Sequence, residues 1–283
     1  MPVHDELGLR IKNNYEKISQ TKLMRRCPVI LRLDGKAFHS FTRGFKRPFD
    51  NILVESMQET MKYLCENIQG CVLGYTQSDE ITLVLIDYQK LNSDAWFDYR
   101  TDKMCSIAAS MATMTFNKAF AKNVKEYDME WKCSLTPQCV EMQKAHYDYI
   151  DILNKAVEKG AMFDCRCFNV PKEEVTNVIY WRQLDATRNS IQMVGQANFS
   201  HKELQNKSCN DIQDMLMIQK GINWNDFPTH LKRGSCCIKE EYKDSSVLPD
   251  MQVTRTRWVV DQEIPIFKGE GRAYIDKLVF VGE

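Results

Sequence analysis

Apolar and polar positions along the chain follow two rhythms. Val29-Ile30-Leu31-Arg32-Leu33 is an apolar run too short for a helix and rich in branched residues, as a buried strand requires. Leu53, Met57, Met61, Leu64 and Ile68 then recur at the spacing of one helical face, with Asp50 placed as N-cap and Gly70 just past the end. Two further apolar segments, Cys71 to Tyr75 and Ile81 to Ile86, flank the polar stretch Thr76-Gln77-Ser78-Asp79-Glu80. This predicts a β-hairpin with two adjacent carboxylates at its tip. A long helix follows from about Ser93 to Ala121, rich in small residues such as Ala108, Ala109 and Ala112. Residues 123–160 read as more irregular and only partly helical, and Phe163 to Val170 reads as a fourth strand. Strand, helix, hairpin, helix, strand is the βαββαβ order of the ferredoxin-like fold. The fold class expected is therefore α+β, with an antiparallel sheet, helices on one face and an open second face.

The two ends extend this core. Residues 5–26 carry Leu7, Ile11, Tyr15 and Ile18 at helical spacing and predict an arm packed on the main body. Beyond Pro171 come a helix from Lys172 to Met193, helical turns from His201 to Gln219, a loop from Lys220 to Pro228, and a β-rich tail from about Gly234. The chain divides into 1–170, a catalytic half with its arm, and 171–283, a helical and β-rich remainder. No linker-like composition separates them, so the halves should pack tightly.

Composition changes this picture in three ways. Lys+Arg and Asp+Glu both number 38, so a nucleic-acid partner requires a local basic surface rather than overall charge. The N-terminal residues are polar and charged, and 11 cysteines, many in apolar segments, suit a reducing cytoplasm better than a disulfide framework. No apolar stretch approaches the ~20 residues that span a bilayer. Cys165-Arg166-Cys167 and Cys236-Cys237 lack the spacing usual in zinc centres and are read as buried free thiols.

The chemistry concentrates where the first strand ends. Asp34 and Gly35 are followed by Lys36, His39, Arg43, Lys46 and Arg47, interleaved with Phe38, Phe41 and Phe45. A carboxylate, a glycine that lets the backbone approach a ligand, and then basic and aromatic residues suit a divalent cation, a phosphate chain and a stacked base. If the hairpin lies beside the first strand, Asp79 converges with Asp34. Mg²⁺ takes oxygen ligands from one or two carboxylates plus substrate phosphates, and two such ions can organise a displacement at phosphorus. Taken singly, the hairpin carboxylates also fit a solvated turn and Asp34 a cap; the two motifs together favour the metal reading. Arg100 and Lys103, on neighbouring positions of a helix, fit either a solvated face or a grip on phosphate. Arg166, in a strand between two cysteines, calls for an anionic partner.

These residues carry a resemblance. RLDGKAFHSF at Arg32 to Phe41, GYTQSDE at Gly74 to Glu80, FDCR at Phe163 to Arg166 and YWRQLDATRNS at Tyr180 to Ser190 resemble the tRNA-histidine guanylyltransferase superfamily. The likeness is in particular to its Thg1-like branch, the 3′-to-5′ polymerases, and runs over about residues 5–240. It implies a polymerase-palm-like core and a tetrameric assembly. It implies Asp34, Asp79 and the Gly35 carbonyl as ligands of two Mg²⁺ ions, with Glu80 beside them as a catalytic carboxylate. Lys36, Ala37, Phe38, His39 and Ser78 match nucleotide-pocket residues, with Phe45 and Arg47 around base and triphosphate. Arg100, Lys103 and Arg166 match basic positions holding a second triphosphate or tRNA phosphate. Trp181, Arg182, Gln183 and Asn189 fall in the helix associated with tRNA contact.

The activity implied is metal-dependent nucleotide addition to tRNA 5′ ends, with ATP and GTP or other NTPs as substrates. The run Thr187-Arg188-Asn189-Ser190-Ile191-Gln192-Met193 keeps only the first asparagine of the eukaryotic His-Ile-Asn-Asn-Leu-Tyr-Asn pattern. This favours templated repair of truncated tRNA over non-templated addition of G to tRNA-His. Two rivals share the topology. A nucleotide cyclase lacks its Gly-Gly-Asp/Glu-Glu-Phe signature here. A non-catalytic RNA-binding module stacks bases on sheet aromatics, where this sheet offers Asp34 and Arg166.

Overall fold

The computed structural model describes residues 5–134, 140–248 and 251–282. In chain order its elements are α1 (Glu6–Ile11), β1 (Val29–Gly35), α2 (Phe38–Phe41), α3 (Asn51–Asn67), β2 (Cys71–Gln77), β3 (Glu80–Leu85), α4 (Thr101–Cys133), α5 (Val140–Lys159) and β4 (Phe163–Asn169). There follow α6 (Lys172–Asn198), α7 (His201–Leu204), α8 (Cys209–Lys220), α9 (Thr229–Arg233), β5 (Ser235–Leu248), β6 (Met251–Asp261) and α10 (Ala273–Val279).

One six-stranded sheet runs in the order β4-β1-β3-β2-β5-β6, with every neighbouring pair antiparallel. Its first four strands have the expected ferredoxin-like arrangement. The hairpin of β5 and β6 then lengthens the sheet beyond β2, through Gly74↔Cys237, Tyr75↔Cys236 and Thr76↔Ser235. Residues on both sides of Pro171 therefore share one sheet.

Strand alternation sorts the core into two layers. Leu31, Leu33, Ile81, Leu83 and Leu85 face α3, α4 and α5, and meet Met57, Met61, Leu64, Phe116 and Leu153. The Asp50 carboxylate accepts from Leu53 N at 3.2 Å and fixes where α3 starts. Gly74 lets α3 approach β2 closely: a Cβ there would stand 2.5 Å from Cys65 Sγ and 2.8 Å from Met61 Cγ.

The second face is not open, which corrects the expectation. Ile30, Val84, Leu73 and Tyr75 are covered by Val175 and Ile179 of α6, Ile275 and Val279 of α10, and Phe267. An antiparallel sheet can leave a face to water, but here that face is apolar along most of its length and must be covered. Charge on this face includes Arg32 and Glu80, near the ends of β1 and β3.

Three helical boundaries differ from the sequence reading. The long helix begins at Thr101, because Trp96–Tyr99 form a 3₁₀ turn in which Phe97, Asp98 and Tyr99 have positive φ. It runs on to Cys133, and Val140–Lys159 is also helical, so the described part of 123–160 is largely regular. The signal was present in α5, where His146, Tyr149, Leu153 and Ala156 recur on one buried face. Residues 135–139 lie outside the described residues. The arm forms only α1 and a π-helical turn at Lys12–Glu16, and Leu7, Ile11, Tyr15 and Ile18 are exposed rather than packed on the body.

Candidate active site

The backbone brings the two carboxylate motifs together. Gly35 N, at the end of β1, donates to Asp79 O in the β2–β3 turn at 3.1 Å. The turn is two residues long, Ser78-Asp79, and Ser78 takes the left-handed conformation with φ 50°. Ala37 does the same on the other side, with φ 54°. Non-glycine residues held there cost on the order of 1–3 kcal/mol each, and such strain concentrates at functional sites.

Asp79 Oδ1 accepts from the Ser78 hydroxyl at 3.0 Å. Burial pushes the Asp79 carboxyl above the usual carboxylate range; the Ser78 bond opposes this and the nearby Asp34 charge adds to it. Asp34 stands in register between Asp164 of β4 and Glu80 of β3, so three acids sit abreast across the sheet. Among the described residues neither Asp34 nor Asp79 enters an ion pair. No group of three or more His, Cys, Asp or Glu side chains is arranged there to hold a metal. Two uncompensated carboxylates and a nearby backbone carbonyl, Gly35, are hard oxygen donors that fit Mg²⁺ when substrate phosphates complete its shell.

These motifs border a cavity of about 660 Å³. The segment after β1 lines it with Gly35, Ala37, Phe38 and His39, the loop before α3 with Phe45 and Arg47, and the turn with Ser78 and Asp79. Arg43 and Lys46 add further positive charge. Asp34 and Lys36 lie next to these residues in sequence but outside the lining. Thr42, Pro48, Met193 and Gln196 also line the cavity and were missed; the last two come from α6, some 150 residues away, without a local signal. A Cβ at Gly35 would stand 2.3 Å from the Phe38 ring, so only glycine allows the strand end to close over it.

A model of the tRNAHis guanylyltransferase family, Thg1, matches residues 10–171. The chain belongs to that family, and is a nucleotidyltransferase. It is similar in structure to a bacterial tRNA(His) guanylyltransferase (Thg1)-like protein in complex with ATP, with a TM-score of 0.76 and 40% identity over 98% of this chain and 100% of that one. The same description in complex with GTP gives a TM-score of 0.74 and 37% identity, with the same coverage. The tRNA(His) guanylyltransferase of Saccharomyces cerevisiae is 25% identical over 232 residues, 77% of this chain and 85% of the relative.

In this Thg1-family chain several predicted site residues take other places. Glu80 is not at the hairpin tip. It opens β3, is buried, and receives Arg182 Nε at 2.6 Å and Nη2 at 2.8 Å. Burial raises its carboxyl, against the pull of Arg182. Arg182 also donates to Asp185 at 2.9 Å and is 7% exposed. Gln183 is 2% exposed and bonds Pro265 O and Phe267 N. Both side chains are therefore internal braces of α6 rather than a surface for tRNA, because each is turned toward the sheet and the segment before α10.

Phe38 and Phe45 line the cavity from within an aromatic cluster. Phe38 packs on Phe41, Phe116 and Phe163, and Phe45 stacks on Phe120 with centroids 5.7 Å apart. Their rings form the cavity floor, where an apolar cluster holds them.

Trp181 is exposed, with the guanidinium groups of Arg32 and Arg182 over its ring at 5.6 and 4.5 Å. Asn189 borders a small neighbouring cavity of about 90 Å³ with Gln77, Ser78, Met193 and His230. Arg100, Lys103 and Arg166 lie outside the large cavity. Arg100 meets Asp102 at 2.8 Å, Lys103 lies 5.1 Å over the Phe97 ring, and Arg166 meets Asp164 at 3.2 Å. Arg100 and Lys103 belong to the side where the start of α4 packs on β4, whereas Arg166 points from the opposite face of β4.

Proposed function

We propose that this enzyme adds nucleotides in the 3′-to-5′ direction to the 5′ ends of tRNA, as templated repair of truncated ends. The observation that carries the reading is the closure of Gly35 on Asp79 beside a basic cavity of nucleotide size. A 5′-monophosphate end is first activated by ATP with release of pyrophosphate. The 3′-hydroxyl of an incoming NTP then attacks that phosphorus and AMP leaves. Both steps are displacements at phosphorus, which ask for positioning and charge stabilisation rather than a covalent protein group.

Asp34, Asp79 and the Gly35 carbonyl would hold Mg²⁺, which supplies stabilisation of the developing phosphate charge. Arg43, Lys46 and Arg47 place positive charge along the triphosphate, with the His39 imidazole beside them as a hydrogen-bonding group. Trp181 and Asn189 remain available on α6 for tRNA. The exposed Leu7, Ile11, Tyr15 and Ile18 of the arm suit an interface in a homo-tetramer, and the many free thiols suit the cytoplasm.

The test uses a tRNA lacking its first 5′ nucleotide with all four NTPs present. The enzyme restores the base that pairs with the opposing 3′-side nucleotide, and changing that nucleotide changes the base added. Addition of G whatever the opposing base restores the non-templated tRNA-His reaction instead; growth at the 3′ end overturns both.

Arg100→Ala, Lys103→Ala and Arg166→Ala each raise the KM for tRNA or nucleotide about two- to fivefold at low salt. This follows from the modest worth of a solvent-exposed charge contact. The effect shrinks in 0.5 M salt, where screening shortens the range of exposed charges. Wild-type KM values at low salt return these residues to a solvated face.

A further inference from the structure

Three thiols unused by the nucleotide chemistry meet beside the basic side of the molecule. Cys105 lies in the second turn of α4, two residues after Lys103. Cys165 and Cys167 flank Arg166 on β4, opposite Leu33 and Leu31, so they face the helical layer while Arg166 faces the other way. Cys105 Sγ and Cys167 Sγ lie within hydrogen-bond distance, 3.4 Å apart. All three residues are half-buried.

A second thiol group makes a useful contrast. Cys65, Cys71 and Cys237 also lie together, but all are buried, and desolvation holds the Cys65 thiol well above its ordinary value. In the first group the hydrogen bonds from Cys165 and then Cys167 hold the Cys105 thiol down at about 6, against the opposing effect of burial. Cys167 is pushed up to about 12 by burial and by Cys105. Within the group, Cys105 is the sulfur shifted toward the thiolate and Cys167 the one shifted toward the thiol. Reactivity with oxidants follows thiolate character and access together.

We propose that Cys105 and Cys167 form a peroxide-reactive dithiol that closes to a disulfide between α4 and β4. The Cys105 thiolate attacks a hydroperoxide, the O–O bond breaks, and Cys105 becomes a sulfenic acid with release of hydroxide, or of an alkoxide from an organic peroxide. Cys167 then attacks that sulfur, the S–O bond breaks, and water leaves carrying the Cys167 proton. Two thiols lose two hydrogens, and one peroxide is reduced to two waters. The sulfurs need to close from 3.4 Å to about 2.05 Å, which side-chain rotation on two packed elements supplies. The resulting bond ties the helix that carries Arg100 and Lys103 to the strand that carries Arg166.

The test treats the reduced full-length chain with one equivalent of hydrogen peroxide, blocks remaining thiols with N-ethylmaleimide, and maps peptides by mass. A Cys105–Cys167 cross-link two hydrogens lighter than the dithiol is expected. Cys167→Ser stops the reaction at a Cys105 sulfenic acid that dimedone captures, and Cys105→Ser slows peroxide consumption about tenfold. Unmodified protein gives a second readout: the pH midpoint for alkylation of Cys105 falls below that of a free cysteine peptide. Equal oxidation of Cys105 and Cys133, a cross-link lacking Cys105, or an ordinary alkylation midpoint at Cys105 overturns the proposal.

Discussion

Asp34→Ala and Asp79→Ala each lower nucleotide transfer by at least about 10³-fold while leaving the fold intact. The charge stabilisation supplied through these carboxylates amounts to several kcal/mol, and about 4 kcal/mol corresponds to three decades in rate. The fold survives because neither carboxylate holds another element in place: Asp79 bonds only the adjacent Ser78 hydroxyl through its side chain, and its backbone link to Gly35 is kept in the variant. Asp79→Asn goes further. Burial raises the Asp79 carboxyl, so the charged form is disfavoured in the folded chain. A carboxyl raised on folding favours the native state at low pH and loses that advantage as pH rises through the folded value. At neutral pH the amide removes the buried charge, so without metal Asp79→Asn unfolds at the same temperature as the parent or above it. Transfer assays over a Mg²⁺ titration, with circular dichroism melts, measure both. Near-normal transfer by Asp79→Ala at saturating Mg²⁺ removes the pair from the chemistry.

The second large effect is on stability. Arg182→Ala destabilises the protein by roughly 3–5 kcal/mol, the usual cost of leaving one member of a buried ion pair alone. Arg182 Nε and Nη2 both meet Glu80, and both side chains are buried. The loss depends on pH with a definite sign. With Arg182 gone, the weaker pull of Arg32 alone opposes the upward push of burial on Glu80, so its folded value rises further above the unfolded value near 4.3. The variant's deficit is therefore small below pH 4 and grows as pH rises and the carboxylate must ionise. Glu80→Gln in the same chain recovers most of the loss at pH 7, because the neutral amide needs no cation. Urea unfolding from pH 4 to 8 measures this. If Arg182 instead served tRNA, stability would be unchanged and tRNA affinity alone would fall.

Much of this was legible before the structure. The βαββαβ core could be read because β1 and β3 are short branched runs, and because α3 has a clean apolar face with a working cap at Asp50. The segment from Gly35 to Arg47 could be read as a ligand-binding stretch because glycine, basic and aromatic residues interleave within one short span, and most of them line the large cavity. The helical boundaries at Thr101 and Cys133 were less legible, since left-handed residues at 97–99 and a long surface helix leave little pattern in single residues.

The sequence by itself determined the family, the chain order of the βαββαβ elements and the two motifs that carry Asp34 and Asp79, because these follow from local periodicity and from motifs confined to a few residues. Tertiary structure alone decided which charges are free. Glu80 and Asp79 are adjacent acids, yet strand alternation turns them apart: one is held by Arg182 from 102 residues away and the other stays unpaired beside the cavity. The same holds for Arg182 and Gln183, whose polarity in the sequence suggested a surface for tRNA and whose burial makes them braces. A charged side chain reads alike in sequence whether solvated or buried. Only its partner, brought from a distant segment by packing, fixes whether its charge is spent on the fold or left for a substrate.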